Sequence, residues 1–384
     1  MLNIKYTSYF IKMSLKNMKN IKILISGYYG FDNFGDDAIL HTLLHNLKTN
    51  FENCQITVIS KNPAKTKQLY GINSVGTFNY QEIIKQMLAA DLYISGGGSL
   101  LQDITSLKSL FYYLSLILLA TLCKVKTYIY AQGIGPIKSK LGQFLTKNIL
   151  KKVDLITVRD QQSKDFLDKL GINSILTADP VWCMDVEKIN NNSCLNNEKI
   201  KVGIQLRDWY LLNNEKLEHL AEAINLNFNS NYQLILISLQ DSHDLAITEK
   251  FREILKLKNA GPDIQLMSDL SIFDSISLLS QLDCLIAMRY HANLIAIKSN
   301  VPALALSYDP KVEILSSEAG IPYVSIENLD KEELNKKIFD LITQKTTYED
   351  KLRDFAAKKE LESRQNVDLL SKILFEDNFS GVKN

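Results

Sequence analysis

The sequence predicts an α/β protein of two domains of similar size, each with a parallel sheet, facing a cleft. Three observations point there. From Ile21 onward, short β-rich runs alternate with longer helical stretches. The strand candidates are near-continuous apolar runs, as when helices cover both faces of a parallel sheet. An aperiodic, Asn-rich break, EKINNNSCLNNE over 187–198, separates two such alternations. The chain has 384 residues, long enough for two domains. With 44 Lys or Arg against 43 Asp or Glu, its formal net charge is +1. That balance offers no bulk attraction for nucleic acid or anionic lipid. A hydrophobic share of 46% and a charged share of 23% exclude a disordered chain.

Residues 1–20 are broken by Lys5, Lys12, Lys16 and Lys19, so they form a poor signal peptide. They read as an N-terminal extension, with Met13 and Met18 as candidate starts. The first domain spans 21–186. Its strands are expected at Lys22–Ser26, Gln55–Ser60, Leu92–Ser95, Lys126–Ala131, Leu155–Val158 and Ser174–Thr177. Helical stretches fall at Asp36–Lys48, Tyr80–Ala89 and Gln161–Leu170. The longest apolar run, Leu110–Cys123, falls short of the roughly 20 residues of a membrane span and reads as a buried helix. After the linker 187–198, the second domain (199–345) has strands at Lys201–Leu206, Gln233–Leu239, Ile264–Met267, Cys284–Ala287 and Ala303–Ser307. A charged helical segment, 346–384, closes the chain. Cys54, Cys123, Cys183, Cys194 and Cys284 form no CxxC pair, which argues against a zinc site or a disulfide framework and for a reducing compartment.

Ligands of open α/β sheets bind beyond the carboxyl ends of strands, so the strand-to-helix turns carry the functional signal. In the first, SGYYGFDNFGDDAIL, Gly30 and Asn33 precede Asp36 and Asp37 at a helix start. It is neither a P-loop nor GxGxxG. Its carboxylates complement the helix dipole and would repel a phosphate, so it suits sugar hydroxyls or no ligand at all. In the second, ISGGGSLLQD, Gly97 and Gly98 leave the backbone open to close approach. Ser99 reads as a helix start, and Gln102 and Asp103 as hydroxyl partners. AQGIGP, with Gln132, is a third turn of this kind. Arg159 ends a further strand, where it either binds an anion or pairs with Asp179.

The second half carries a cationic edge. CLIA ends in Met288-Arg289-Tyr290-His291, and ALAL ends in Ser307-Tyr308-Asp309-Pro310-Lys311. Arg289, His291 and Lys311 thus meet the positive ends of helices, which favours an anion site over three unrelated side chains. Arg207, after VGIQL, projects to the same edge. A helix start and a neighbouring guanidinium favour a neutral imidazole at His291. A bound anion favours the imidazolium, which could then donate a proton.

These segments resemble the polysaccharide pyruvyl transferase family, most closely its CsaB-type bacterial members. The matching pieces are GYYGFDNFGDDAIL, SGGGSLLQD, AQGIGP, ITVRDQQS, ADPV, IQLRDW and MRYHANLIAIKSNVPALALSYDPKV, in order from about Ile21 to Ile326. The resemblance implies two Rossmann-like domains in a glycosyltransferase-B-like arrangement. It implies transfer of the carboxyvinyl unit of phosphoenolpyruvate to a sugar, forming a pyruvate ketal and releasing phosphate. The acceptor it implies is a lipid-linked sugar of a cell-wall or exopolysaccharide precursor. His291, Lys311 and Arg289 would be catalytic, with Arg207, Ser307 and Tyr308 binding the donor. Gly30, Asn33, Asp36, Gly97, Gly98, Ser99, Gln102, Asp103, Gln132 and Arg159 would face the acceptor. Asp36 and Asp103 are the candidate acceptor bases. No resident cofactor and no metal is expected, phosphoenolpyruvate being a co-substrate. Many family members have Pro after the Arg of the IQLR strand end, where this chain has Asp208 before Trp209.

Two rival readings use the same residues. A nucleotide-sugar glycosyltransferase would place a diphosphate on the cationic edge, and a non-catalytic glycan or anion sensor would need no proton donor. Expected partners are phosphoenolpyruvate and a glycan or lipid-linked sugar, possible self-association, and no nucleic acid. The expected place of work is the cytoplasm, with peripheral contact at the inner face of the membrane.

Overall fold

The computed structural model describes residues 20–104, 106–189, 198–258 and 261–375. The expected extension up to residue 19, linker residues 190–197 and Cys194 lie outside the described residues. The chain divides into two units, one up to Cys183 joined by Glu360 onward, the other Met184–Lys359.

The first unit runs β1 (Ile21–Ser26), α1 (Phe34–Asn50), β2 (Cys54–Ser60), α2 (Pro63–Tyr70), β3 (Asn73–Gly76), α3 (Tyr80–Ala89), β4 (Leu92–Ser95), β5 (Gly98–Leu101), α4 (Leu107–Leu122), β6 (Lys126–Ile134), α5 (Lys140–Leu150), β7 (Leu155–Val158), α6 (Gln161–Lys169) and β8 (Ile175–Leu176). Its sheet has the order β3-β2-β1-β4-β6-β7-β8, with β5 paired to β6, and every pairing is parallel. Alternate residues of each strand feed opposite faces. Leu24, Tyr93, Ile129 and Ile156 point to one face, under Ile83 and Met87 of α3, Leu110 and Ile117 of α4, Leu150 of α5 and Leu167 of α6. Ile23, Ile25, Ile94 and Tyr128 point to the other, under Leu40, Leu43 and Leu47 of α1. The apolar run Leu110–Cys123 falls in α4 and its cap, with one side buried on the sheet, and no described helix is long and apolar enough to cross a membrane.

The second unit runs β9 (Ile200–Gln205), α7 (Asn214–Asn227), β10 (Tyr232–Ile237), α8 (Asp241–Leu257), β11 (Asp263–Met267), α9 (Ile272–Ser280), β12 (Cys284–Ala287), α10 (Tyr290–Lys298), β13 (Ala303–Ser307), α11 (Pro310–Ala319), β14 (Tyr323–Ser325) and α12 (Lys331–Thr343). The sheet order is β11-β10-β9-β12-β13-β14, again wholly parallel. In each sheet the order reverses direction beside its first strand: between β1 and β4, and between β9 and β12. Crossovers leave from opposite sides at such a point, and a crevice opens beyond the strand ends.

Three strands are not expected from the sequence: β14, β5 and β3. Gly98–Leu101, expected to open a helix at Ser99, is instead β5. Leu101 is fully buried and pairs with Ile134, and the helix waits for the Ser106 cap. Sheet pairing outweighed a local cap signal there. Asn73–Gly76 is too short and polar to read as a strand, yet it pairs with β2.

The last helix, α13 (Lys345–Phe375), belongs to both units. In the first unit, Leu370 and Ile373 join the core beneath β1 and β6. Asn366 is fully buried. Its Nδ2 donates to the Ala178 carbonyl at 3.1 Å, its Oδ1 accepts from Thr177 at 2.9 Å, and its carbonyl accepts from Tyr128 at 3.2 Å. Asn366→Ala keeps the backbone bond from Tyr128 but removes the side-chain bonds to the Ala178 carbonyl and the Thr177 hydroxyl. A loss of about 1–3 kcal/mol is expected in urea unfolding, and an unchanged midpoint would show that this seam carries no stability.

Candidate functional site

β9, β12 and β13 lie side by side, Ile204 opposite Ile286 and Leu285 opposite Ala303, so their carboxyl ends share one edge. Arg207 follows β9 and is half-buried. Its Nη1 donates to Tyr308 Oη at 3.1 Å, and its guanidinium lies 5.4 Å from that ring's centroid. Trp209 packs on Tyr308 at 5.0 Å, fixing the ring that holds Arg207. His291 sits in the first turn of α10, edge-on to Tyr290 at 5.0 Å. Asp309 caps α11 by accepting from Lys311 N at 3.0 Å, and its other oxygen lies 3.3 Å from Lys311 Nζ. That carboxylate is why a lysine is tolerated at a positive helix end. The same strand edge thus carries Arg207, His291, Tyr308 and Lys311, with Arg207 and Tyr308 in contact.

Arg289 is arranged differently. It is buried, and its Nε and Nη2 donate to the two oxygens of Asp244 at 2.7 and 2.6 Å, with Nη2 also reaching Gln240 Oε1 at 3.0 Å. Asp244 further accepts from Gln205 Nε2 at 3.1 Å and from the N–H groups of Leu239 and Gln240, each at 3.2 Å. A guanidinium withdrawn from water requires such a counter-charge. The pair clamps the ends of β9, β10 and β12 together. Arg289, expected among the catalytic cations, therefore has one edge committed to the scaffold. Ser307 likewise donates to Glu313 at 3.0 Å, inside the α11 start.

In the first unit the glycine turns meet at the β1–β4 reversal. Gly30 adopts φ +75°, and a Cβ there would stand 2.2 Å from Ser60 Oγ. Gly98 adopts φ +93°, and its Cβ would stand 2.7 Å from Asp36 Oδ1. Both positions require glycine, and the second places the Asp36 carboxylate against the β4–β5 turn. Gly97 packs on Ile39, and Asn33 caps α1 by accepting from Gly35 N at 3.0 Å and Asp36 N at 3.3 Å. Ser99 is exposed, and Gln102 Oε1 accepts from Ile104 N at 2.8 Å. Asp103 accepts from Lys138 N and Ser139 N, both at 2.8 Å, tying the second turn to the third.

Gln132 and Arg159, expected to line this turn, lie beneath it. Gln132 is fully buried, with Nε2 on Ser95 Oγ at 2.7 Å and on the Gly96 carbonyl at 2.8 Å. Arg159 pairs with Asp179 at 2.8 Å and donates to Ser99 at 3.0 Å. Both hold the glycine turn in place rather than present themselves to a ligand.

Residues 33–310 match the family profile of polysaccharide pyruvyl transferase. The chain belongs to the polysaccharide pyruvyl transferase family. It is a transferase, and its pyruvyl chemistry serves polysaccharide biosynthesis. Comparison with curated proteins finds no match. Among solved structures, this pyruvyl transferase is similar to a Listeria monocytogenes protein assigned as a UDP-N-acetylglucosamine 2-epimerase, at TM-score 0.68 and 12% identity over 94% of this chain and 99% of that one. Anabaena HepE in complex with UDP-glucose aligns at TM-score 0.63 and 12% identity, over 92% of this chain and 100% of that one. The UDP-GlcNAc 2-epimerase of Neisseria meningitidis bound to UDP-GlcNAc gives TM-score 0.63 and 11% identity, over 93% and 100%. The likeness is one of fold, the two-domain glycosyltransferase-B type.

Sequence reasoning passed over two residues of this family member. Asp244 was invisible because it lies in α8, far from Arg289 along the chain, with only its place in a helix first turn as a local signal. Asp37 was read only as a helix-start acid. Burial, with Asp32 adding to it and Lys65 opposing it, pushes its carboxyl from the ordinary 3.8 up to about 7. Asp103 moves the other way. Burial raises its carboxyl, but the N–H groups of Lys138 and Ser139 outweigh that and hold it below the usual range.

Two outcomes follow. Asp244→Ala should cost about 3–5 kcal/mol in denaturant unfolding, because it strands a buried guanidinium. Arg207→Ala and Lys311→Ala should each change stability by less than about 1 kcal/mol; equal losses in all three would dissolve the division between scaffold and site. For Asp37, the unfolded chain loses its proton near pH 4 and the folded one near pH 7. Stability therefore falls as pH rises across that window and is flat on either side. Asp37→Asn should raise the melting temperature by roughly 3 °C or more at pH 8 and leave it unchanged at pH 4.

Proposed function

We propose that this transferase takes phosphoenolpyruvate as its donor and a lipid-linked sugar of a cell-envelope precursor as its acceptor. The observation that carries the donor is the shared edge of β9, β12 and β13. It sets Arg207, Lys311 and His291 beside the starts of α10 and α11, a cationic surface suited to a small molecule bearing both phosphate and carboxylate. Arg289 stands behind them, braced on Asp244. The turns of the first unit, short of cations and rich in hydroxyl acceptors, suit a sugar.

In this scheme His291, charged beside the bound anion, protonates the methylene carbon. One sugar hydroxyl adds at C2, phosphate departs, and a second hydroxyl closes the ketal. Of the two protons released by the hydroxyls, one restores His291 and the other leaves with phosphate. Of the two candidate acceptor bases, Asp103 is held ionised by backbone N–H groups, and Asp36 stands with its carboxylate against the glycine turn. Asp36, against the glycine turn, orients the hydroxyls. The scheme draws on no resident cofactor, and the cytoplasm supplies the donor.

A titration with phosphoenolpyruvate, with UDP-sugars as the comparison, tests the donor. Binding should fall at least tenfold in Arg207→Ala and in Lys311→Ala. His291→Ala should keep the fold and lose about 10²–10⁴-fold in turnover. Preference for UDP-sugars would instead move this chain to the nucleotide-sugar chemistry of its structural neighbours, and unimpaired turnover without His291 would remove it from the mechanism.

A further inference from the structure

The near-neutral charge of the whole chain conceals a strong local asymmetry. Between Asp103 and Asp154 there is no acidic residue, yet this stretch holds eight lysines: Lys108, Lys124, Lys126, Lys138, Lys140, Lys147, Lys151 and Lys152. It contains α4 and α5. Both helices press their inner sides on the same face of the first sheet, and α5 lies against α4 where Gly142 meets Leu110. Within the two helices the lysines are Lys108, Lys140 and Lys147, all exposed, and large apolar groups are exposed there too. Leu141 is 56% exposed and Phe144 62%, one helical turn apart on α5. Leu107 opens α4, Leu122 ends it, and Ile104 precedes it; all three are exposed.

We propose that the outward side of α4 and α5 is a docking surface for an anionic lipid bilayer. An interfacial helix has this composition: bulky apolar groups that enter the acyl boundary, and lysines whose stems lie along it while their ammonium groups reach the headgroups. The alternatives fit less well. A second copy meeting this face about a two-fold axis would oppose lysine to lysine. Protein interfaces are depleted of lysine at their centres. A nucleic acid would match the charge but leave Leu141 and Phe144 in water. Ile104 and Leu107 directly follow the turn that carries Gln102 and Asp103, so a bilayer at this face brings a lipid-linked sugar near the glycine turns. The surface stands on its own residues and deepens the acceptor reading without resting on it.

Co-sedimentation of the full chain with vesicles tests it. Phosphatidylcholine alone is compared with phosphatidylcholine containing about 30% phosphatidylglycerol. Wild type should partition at least tenfold better onto the anionic vesicles, and about 0.5 M salt should weaken that binding. The pair Leu141→Ser with Phe144→Ser, and the pair Lys140→Glu with Lys147→Glu, should each reduce partition about tenfold or more. Melting temperature should stay as in wild type. Wild type left in the supernatant, or variants that sediment like wild type, would overturn the proposal. So would variants that convert a dimer to a monomer without altering vesicle binding. A parallel phosphoenolpyruvate titration separates the two readings: failure of the donor leaves the surface intact, and failure of the surface leaves the donor site intact.

Discussion

In a wholly parallel sheet every strand ends on the same edge, and each crossover must return to the other. The rest of this molecule depends on that constraint. It gathers the turns after β1 and β4 in one unit, and those after β9 and β12 in the other, at the places where the strand order reverses. Within the first unit the glycine turns, and within the second the cationic side chains, are brought to one edge by hydrogen-bonded register, before any side chain contributes. Each unit thus has its functional edge built by backbone pairing, and the side chains decide only what that edge recognises.

The two edges differ in electrostatic design. In the second unit a buried pair, Arg289 with Asp244, is internally neutral and rigid, and the exposed cations stand in front of it. Buried charges of this kind need full satisfaction, which Asp244 achieves by accepting from Arg289, Gln205 and two backbone N–H groups. The result is a fixed floor beside which Arg207, held by Tyr308, and Lys311, paired with Asp309, stand half-exposed. The first unit follows the same plan with other residues. Arg159 and Asp179 form the neutral buried pair, and Gln132 braces the glycine turn above it. In both places an arginine at a strand end supports the loop.

Membership of the pyruvyl transferase family and a backbone like that of UDP-sugar enzymes are compatible, because the fold supplies an edge and not a chemistry. This chain has a cationic strand edge in one unit and acid-bearing turns in the other. The chain also carries a stretch without acidic residues between Asp103 and Asp154, with exposed lysines and apolar groups on α4 and α5.

The sequence by itself determined the fold class, most strand positions and the motif order. Near-continuous apolar strands and glycine turns are local signals, and β4, β7, β12 and β13 stand where the runs LYIS, LITV, CLIA and ALAL place them. It also made the cationic edge legible, since Arg207, His291 and Lys311 each follow a readable strand. Tertiary structure decided the rest. Gly98–Leu101 became a strand because β6 offered an open partner. Arg289, Gln132 and Arg159 became scaffold because their partners, Asp244, Ser95 and Asp179, come from other elements. The Asp37 carboxyl is raised by partial burial and by Asp32 nearby, both supplied by the fold. Periodicity and turn chemistry act over a few residues and can be read along the chain. Desolvation and ion pairing depend on what folding brings close, and only the folded chain sets them.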